Sequence, residues 1–283
     1  MCSFARSTRA SARRRQLTRI DVALVERGLA RSRNQGAALV EAGRVLINGR
    51  AARKASQDVL DDSTIKVLDA LDYVSRAGHK LATALDQFGA LEVTGKTALD
   101  VGASTGGFTD VLLRRGIARV VAIDVGHEQM VPELAENSRV TSIEGFNARE
   151  LTPETLGARI GEVPEFEIVV ADLSFISLTL VLDAIFTVAP KADYVLLVKP
   201  QFEVGKKSLT AKGIVTDHRL RAESVMQVLE HASKLGLGVH EVVRSELPGT
   251  HGNIEYVLWM SARSTSYPSE WSERVETLAR EGR

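Results

Sequence analysis

The apolar positions divide the chain into two styles of folding. In the first style, Val22, Leu24 and Val25 recur at helical spacing between Asp21 and Gly28, and the glycine stops the helix. Ser32 suits the N-cap of a second helix that carries Ala37, Ala38, Leu39 and Val40 and ends at Gly43. Arg44 to Asn48 alternates as a strand does, Asn48-Gly49 is a hairpin signal, and Ser63 to Leu68 reads as a further strand. Two short helices followed by a small sheet predict an α+β domain over residues 18–68, with residues 69–75 as a linker.

From Arg76 to residue 263 the pattern changes. A helix covers roughly His79 to Phe88, with Lys80 at its start, and short apolar runs then alternate with amphipathic stretches. The predicted strands are Thr97–Val101, Val120–Asp124, Val140–Glu144, Phe166–Asp172, Tyr194–Lys199, Gly238–Val243 and Glu255–Met260. Such alternation predicts an α/β fold with a Rossmann-like, mostly parallel sheet. No helix separates the last two strands, so one of them is expected to pair antiparallel at the sheet edge. Residues 264–283 read as a C-terminal tail with a terminal helix from Pro268.

Charge sharpens this division. Formal net charge is zero over 283 residues, yet residues 1–60 hold 13 Lys and Arg against four Asp and Glu, a balance of +9, and the remainder carries −9. A basic N-terminal segment on an acidic body points to a polyanion-binding module. Met1 to Leu17 is rich in Ser, Ala and Arg, shows no period, and reads as a disordered basic arm. The single cysteine, Cys2, excludes a disulfide framework and suits a reducing, cytoplasmic setting. The longest apolar run, Ile176 to Ala189, is too short for a membrane span and is broken by Asp183. The histidines and the cysteine show no ligand spacing, so no metal is expected.

Asp100-Val-Gly-Ala-Ser-Thr-Gly-Gly-Phe108 follows a strand and opens a helix, Phe108 to Arg115. In doubly wound folds the ligand sits at this first turn, where glycine lets the backbone approach it. Asp124, at the end of the next strand, is placed to accept ribose hydroxyls. The pattern alone does not choose a cofactor, because nicotinamide and flavin nucleotides use similar turns. Ser104 stands where the dinucleotide fingerprint wants glycine, and Asp100 suits a cationic, amino-acid-like ligand. Asp172 and Lys199 each end an apolar strand at the functional edge. A lysine acts as a base only when neutral, which burial or a neighbouring cation favours; Lys80 is the candidate cation. Asp172 is assigned an orienting role and Glu255 the role of fixing Lys80 or a ribose by hydrogen bonding.

These motifs carry a family resemblance. Residues 19–49, with Arg-Ile-Asp-Val-Ala-Leu-Val-Glu-Arg-Gly-Leu-Ala-Arg-Ser-Arg and Gly-Arg-Val-Leu-Ile-Asn-Gly, resemble the small RNA-binding domain named after ribosomal small-subunit protein four. The chain from Ser75-Arg-Ala-Gly-His-Lys80 onward resembles the FtsJ-like ribose methyltransferases, through Ala-Asp-Leu-Ser-Phe-Ile-Ser-Leu, Leu-Val-Lys-Pro-Gln-Phe-Glu-Val-Gly-Lys and Gly-Asn-Ile-Glu-Tyr. Together they resemble the TlyA family over about Arg19 to Ala262. The resemblance implies S-adenosylmethionine as cofactor and 2′-O-methylation of cytidine in ribosomal RNA of one or both subunits. It implies a catalytic tetrad at Lys80, Asp172, Lys199 and Glu255. It also implies donor contacts at Asp100, Gly102, Ser104, Gly106, Asp124 and Asn147. Gly36 departs from the pattern, which has alanine there. Arg19, Arg31, Arg33 and Arg44 are candidates for phosphate contact, and few aromatics lie among them, so backbone and shape recognition is expected over base stacking. The rival readings are a membrane-active haemolysin, a nicotinamide oxidoreductase and a non-catalytic ribosome assembly factor.

Overall fold

The structure is a computed structural model that describes residues 17–30, 32–41, 43–67, 73–205 and 208–281. The predicted basic arm (except for Leu17), Arg31 and most of the predicted linker lie outside these residues, and Leu17 belongs to a strand and not to the arm. The chain forms two compact units, divided between Ala70 and Leu71.

In the first unit, α1 (Ile20–Glu26) and α2 (Arg33–Glu41) precede the hairpin of β2 (Val45–Ile47) and β3 (Arg50–Ala51). β5 (Ile65–Val67) pairs antiparallel with the other side of β2. The sequence pattern did not reveal β1 (Leu17–Arg19), which pairs antiparallel with β4 (Asp58–Leu60). Ile20, Ala23 and Leu24 of α1 pack with Val40, Val45, Ala52 and Val59 to form a small core. Gly36 has a packing role here: a Cβ at this position would lie 3.1 Å from the Asp21 carbonyl oxygen and 3.3 Å from Leu24 Cδ1. The glycine costs helix propensity but lets α2 approach α1 closely.

The second unit is built on a seven-stranded sheet. Its strands are β6 (Thr97–Val101), β7 (Arg119–Ile123), β8 (Val140–Ile143), β9 (Ile168–Ala171), β10 (Asp193–Val198), β11 (Gly238–Arg244) and β12 (Tyr256–Ser261), in the order β11-β12-β10-β9-β6-β7-β8. Alternate residues feed two cores. Val121, Ile123, Val169 and Ala171 face one side, with Leu156, Ile185, Val225 and Val275 from α6 (Pro153–Ile160), α7 (Leu182–Val188), α9 (His218–Lys234) and α10 (Ser272–Arg280). Val120, Ala122, Ile168 and Val170 face the other, with Leu81, Val111 and Leu134 from α3 (Arg76–Phe88), α4 (Gly107–Arg114) and α5 (Pro132–Ala135). Burial on both faces explains why these strands read as continuous apolar runs.

The antiparallel pairing expected at the sheet edge is present: β11 is the edge strand and pairs antiparallel with β12, which is also antiparallel to β10. Two expectations change. Lys80 sits in the second turn of α3, because the helix begins at Arg76. The terminal helix is not a loose tail: Val275, Leu278 and Ala279 of α10 are buried in the first of these two cores.

Leu24 is fully buried in a core of few residues. Leu24→Ala is expected to cost about 2–5 kcal/mol through lost burial and the cavity left behind. Hydrogen exchange should show the loss as faster exchange of the amides in α1, α2 and β2.

Candidate active site

β6 and β9 run parallel and adjacent, and the connections leave them in opposite directions along the sheet, so a crevice opens at their carboxyl ends. A cleft of about 340 Å³ lies there, with Gly102, Ala103 and Ser104 on one wall, Ser75, Arg76 and Ala77 on another, and Asp172, Ser174 and Lys199 completing it. Lys80, Glu255, Asp100, Gly106, Asp124 and Asn147 do not form its walls.

The loop after β6 is shaped by backbone that only small residues favour. Gly102 has φ +83, and a Cβ there would lie 2.8 Å from the Asp172 carbonyl oxygen. Ser104 adopts φ +46 and is stabilised by its amide, which donates to Asp124 Oδ2 at 2.8 Å. The other carboxylate oxygen of Asp124 accepts from Gly126 N at 2.7 Å. Ser104 Oγ donates to Gln129 Oε1 at 2.9 Å, a contact the sequence did not suggest. Gly107 and Gly78 bring α4 against α3, since a Cβ on Gly107 would lie 3.0 Å from Gly78 N. Asn147 spends its side chain locally: its Oδ1 accepts from Arg149 N at 3.1 Å and its Nδ2 donates to Glu150 Oε1 at 3.2 Å.

Asp100 ends fully buried in β6. Oδ2 accepts from Thr109 Oγ1 at 2.7 Å, and Oδ1 is a buried oxygen with no hydrogen-bond partner. Burial pushes this carboxyl up to about 7 against the Thr109 hydrogen bond, and the Asp172 and Asp124 charges add to the rise.

The four candidate catalytic side chains form two ion pairs. Lys199, which follows β10, places Nζ 2.7 Å from Asp172 Oδ1 and donates to Ser174 Oγ at 2.9 Å. Lys80 donates to Glu255 Oε2 at 2.5 Å, with the two side chains 9% and 2% exposed. The cation expected beside Lys199 is therefore neutralised by its own acid partner. Gln201 links the pairs: it lies two residues beyond Lys199, and its Nε2 donates to Glu255 Oε1 at 3.3 Å. A Cβ on Gly249 would collide with Glu255 Oε1, so glycine makes room for the carboxylate.

Two further residues organise the cleft and were not found from the sequence. Glu203, at the end of α8 (Pro200–Glu203), accepts from Ser177 Oγ and, at 3.0 Å, from Leu178 N. Burial raises its carboxyl above the usual range, with both hydrogen bonds opposing. Phe202 packs in a tilted contact, ring centres 5.2 Å apart, against Phe175, an exposed residue with φ +67. The segments 172–178 and 199–203 are thus tied at Lys199, Phe202 and Glu203. The only signal for this was the proximity of Phe202 and Glu203 to Lys199 in one motif.

Asp100 gives a pH prediction. Its carboxyl sits near 7 in the folded chain, above the ordinary value of 3.8 expected when unfolded. Between those values the folded state holds the proton that the unfolded state has lost, so this group's contribution to stability falls as pH rises. Urea unfolding of the protein without ligand should show that decline, and Asp100→Asn should flatten it.

Comparison with known proteins follows the same division of the chain. The model of FtsJ-like methyltransferases matches residues 73–262, and that of the S4 domain matches residues 18–65. TlyA of Mycobacterium tuberculosis, a 16S/23S rRNA (cytidine-2′-O)-methyltransferase, is 49% identical over 249 residues, covering 87% of this chain and 90% of that protein. Hemolysin A of Brachyspira hyodysenteriae is 38% identical over 242 residues, 84% of this chain and 98% of that protein. A solved structure from Streptococcus thermophilus, described as a hemolysin, superposes with a TM-score of 0.70 at 33% identity, covering 94% of this chain and 95% of that one. An S4 domain followed by the glycine-turn sheet and its paired lysines places this chain in the TlyA family of S-adenosylmethionine-dependent, FtsJ-like methyltransferases.

Proposed function

We propose that the protein methylates the 2′-hydroxyl of a cytidine ribose in ribosomal RNA, with Lys199 receiving the hydroxyl proton. The observation that carries this reading is the placing of Lys199 Nζ in the cleft wall, 2.7 Å from Asp172 and beside the Gly102–Ser104 turn.

The residues fit the cofactor of the family. Gly102 lines the cleft, where its backbone passes too close to Asp172 to carry a side chain, and the buried Asp100 Oδ1 lacks a partner of its own. Asp124, fixed by two backbone amides, keeps lone pairs for the hydroxyls of a nucleoside ribose. When bound, S-adenosylmethionine supplies an electrophilic methyl group on a sulfonium.

The remaining chemistry belongs to the chain. A ribose hydroxyl is a weak nucleophile until its proton leaves, and the Lys199 amine is the acceptor once it has given up the proton of its own ion pair with Asp172. Ser174 Oγ takes one Nζ hydrogen and orients the amine. Asp172 favours the ammonium that forms as the proton arrives. Lys80 and Glu255 cancel each other's charge in a buried site, and through Gln201 they hold the segment that begins at Lys199. Much of the rate then comes from positioning.

RNA capture falls to the first unit. Arg19 and Arg33 are exposed there and Arg44 is half-buried, which suits phosphate contact. The proposed substrate is ribosomal RNA, free or within its subunits, in the cytoplasm. For the haemolysin reading, the relevant observation is that no helix among the described residues is long and apolar enough to cross a membrane.

Labelled methyl transfer to separated small and large ribosomal subunits, followed by mapping of the modified ribose, tests the reading. Lys199→Ala is expected to lower kcat by about 10²–10⁴-fold, the usual contribution of a general base. A loss confined to cofactor affinity, with kcat intact, would show that Lys199 is not the proton acceptor.

A further inference from the structure

The first unit contains an acid where an RNA-binding face would be expected to exclude one. Asp21, in the first turn of α1, is 4% exposed. Oδ1 accepts from Arg19 Nε at 3.0 Å and from Val22 N at 3.0 Å. Oδ2 accepts from Arg19 NH2 at 3.0 Å and from Arg33 NH2 at 3.1 Å. One buried carboxylate therefore holds two guanidiniums, one from the residue that caps α1 and one from the first residue of α2. Those arginine side chains keep 47% and 59% of their surface exposed.

Each arginine spends only part of its fork on Asp21. A guanidinium has five N–H donors, of which Arg19 directs two at the carboxylate and Arg33 one. The arginine stems have large rotamer entropy in solution, and a fixed guanidinium loses less of it on meeting a phosphate. Gly36 contributes by letting α2 close on the Asp21 backbone, which brings Arg33 within reach. The carboxyl group is held below its usual range chiefly by the Arg19 hydrogen bond, with the Arg33 hydrogen bond helping, so the acid stays charged in the fork.

We propose that Asp21 is a positioning residue for RNA binding: it prearranges Arg19 and Arg33 as a paired phosphate clamp, so this negative charge strengthens the grip on a polyanion. The inference rests on the reading of Arg19 and Arg33 as phosphate contacts.

The sign of one substitution decides it. Asp21→Asn keeps shape and volume and removes one negative charge from the face, raising its net charge by one. Simple charge counting predicts tighter binding and a steeper salt dependence. The clamp predicts weaker binding, by about tenfold for two arginines released to their rotamers. The measurement is filter capture of the full-length protein on unmodified small and large ribosomal subunits over a series of salt concentrations. Melting and circular dichroism confirm that the variant is folded. Weaker binding, with a salt slope unchanged or shallower, is the expected result; tighter binding with a steeper slope overturns the proposal.

A second comparison covers loss of fold in Asp21→Asn. Arg33→Gln and Arg33→Lys are measured in the native background. The clamp needs the planar fork, so lysine should restore the charge but not the affinity. Full rescue by lysine overturns the clamp. If neither Arg19→Ala nor Arg33→Ala weakens binding to either subunit, the reading of this face as an RNA contact is what fails.

Discussion

The active-site arrangement depends on one reversed strand. β9 and β10 are parallel, so Asp172 and Lys199, which follow them, emerge at the same edge of the sheet. An acid at the end of another parallel strand would also emerge there, but only after a further crossover helix. β12 runs the other way, and its register sets Tyr256 opposite Val198. Glu255 precedes that pair as Lys199 follows it, so the beginning of one strand meets the end of the other. The antiparallel insertion thus delivers a carboxylate to the carboxyl edge without another connection. Lys80 comes from α3, 175 residues away in the chain, and meets it there.

Burying such pairs is expensive. Desolvation of two charges takes back much of their attraction, and a hydrophobic pair of the same size often stabilises a fold better. Removing one partner is worse, because it strands the other in a dry site. The value of Lys80–Glu255 therefore lies in geometry. Gln201 bonds Glu255 on one side and adjoins Lys199 through Pro200 on the other, so the buried pair fixes the start of α8. Glu203 fixes its end against Ser177 and Leu178. A four-residue helix has little stability of its own. Both of its ends are held by polar anchors, and the lysine at its N-cap takes its orientation from them.

Local features were legible in the sequence, and pairings across the chain were not. The inner strands β7, β9, β10 and β12 announced themselves as apolar runs, because burial on both faces leaves little polar alternation to confuse the pattern, whereas the edge strands β8 and β11 carry polar residues such as Thr141, Ser142, His240 and Glu241. The glycine turn was legible because Gly102 must bring backbone next to Asp172. β1 and β4 were missed because Leu17-Thr-Arg and Asp58-Val-Leu are short, carry no adjoining turn signal of the Asn48-Gly49 kind, and pair across about 40 residues. The resemblance named Lys80, Asp172, Lys199 and Glu255 as a set, yet no local pattern says which acid takes which lysine. The charge logic took Lys80 as a cation beside Lys199 and left Glu255 to fix either Lys80 or a ribose; in the fold Glu255 pairs with Lys80. Gln201, Glu203 and Gln129 have ordinary side chains whose roles come only from neighbours distant in sequence.

Charge counting has the same weakness in the first unit. A net +9 over residues 1–60 treats each arginine as equivalent and each acid as a loss. The structure separates them. Arg27 donates to the carbonyl oxygens of Ser63, Leu60 and Asp61, so it staples α1 to the turn after β4. Arg19 and Arg33 converge on Asp21, four per cent exposed, where hydrogen bonds from both hold the acid. A small domain with few buried apolar residues has little rigidity to spare for long side chains. Salt bridges at its surface contribute little to stability. Their use here is to convert flexible cations into fixed ones. A buried acid among arginines fits a recognition surface on those terms, because order in the contacting groups counts as well as their number.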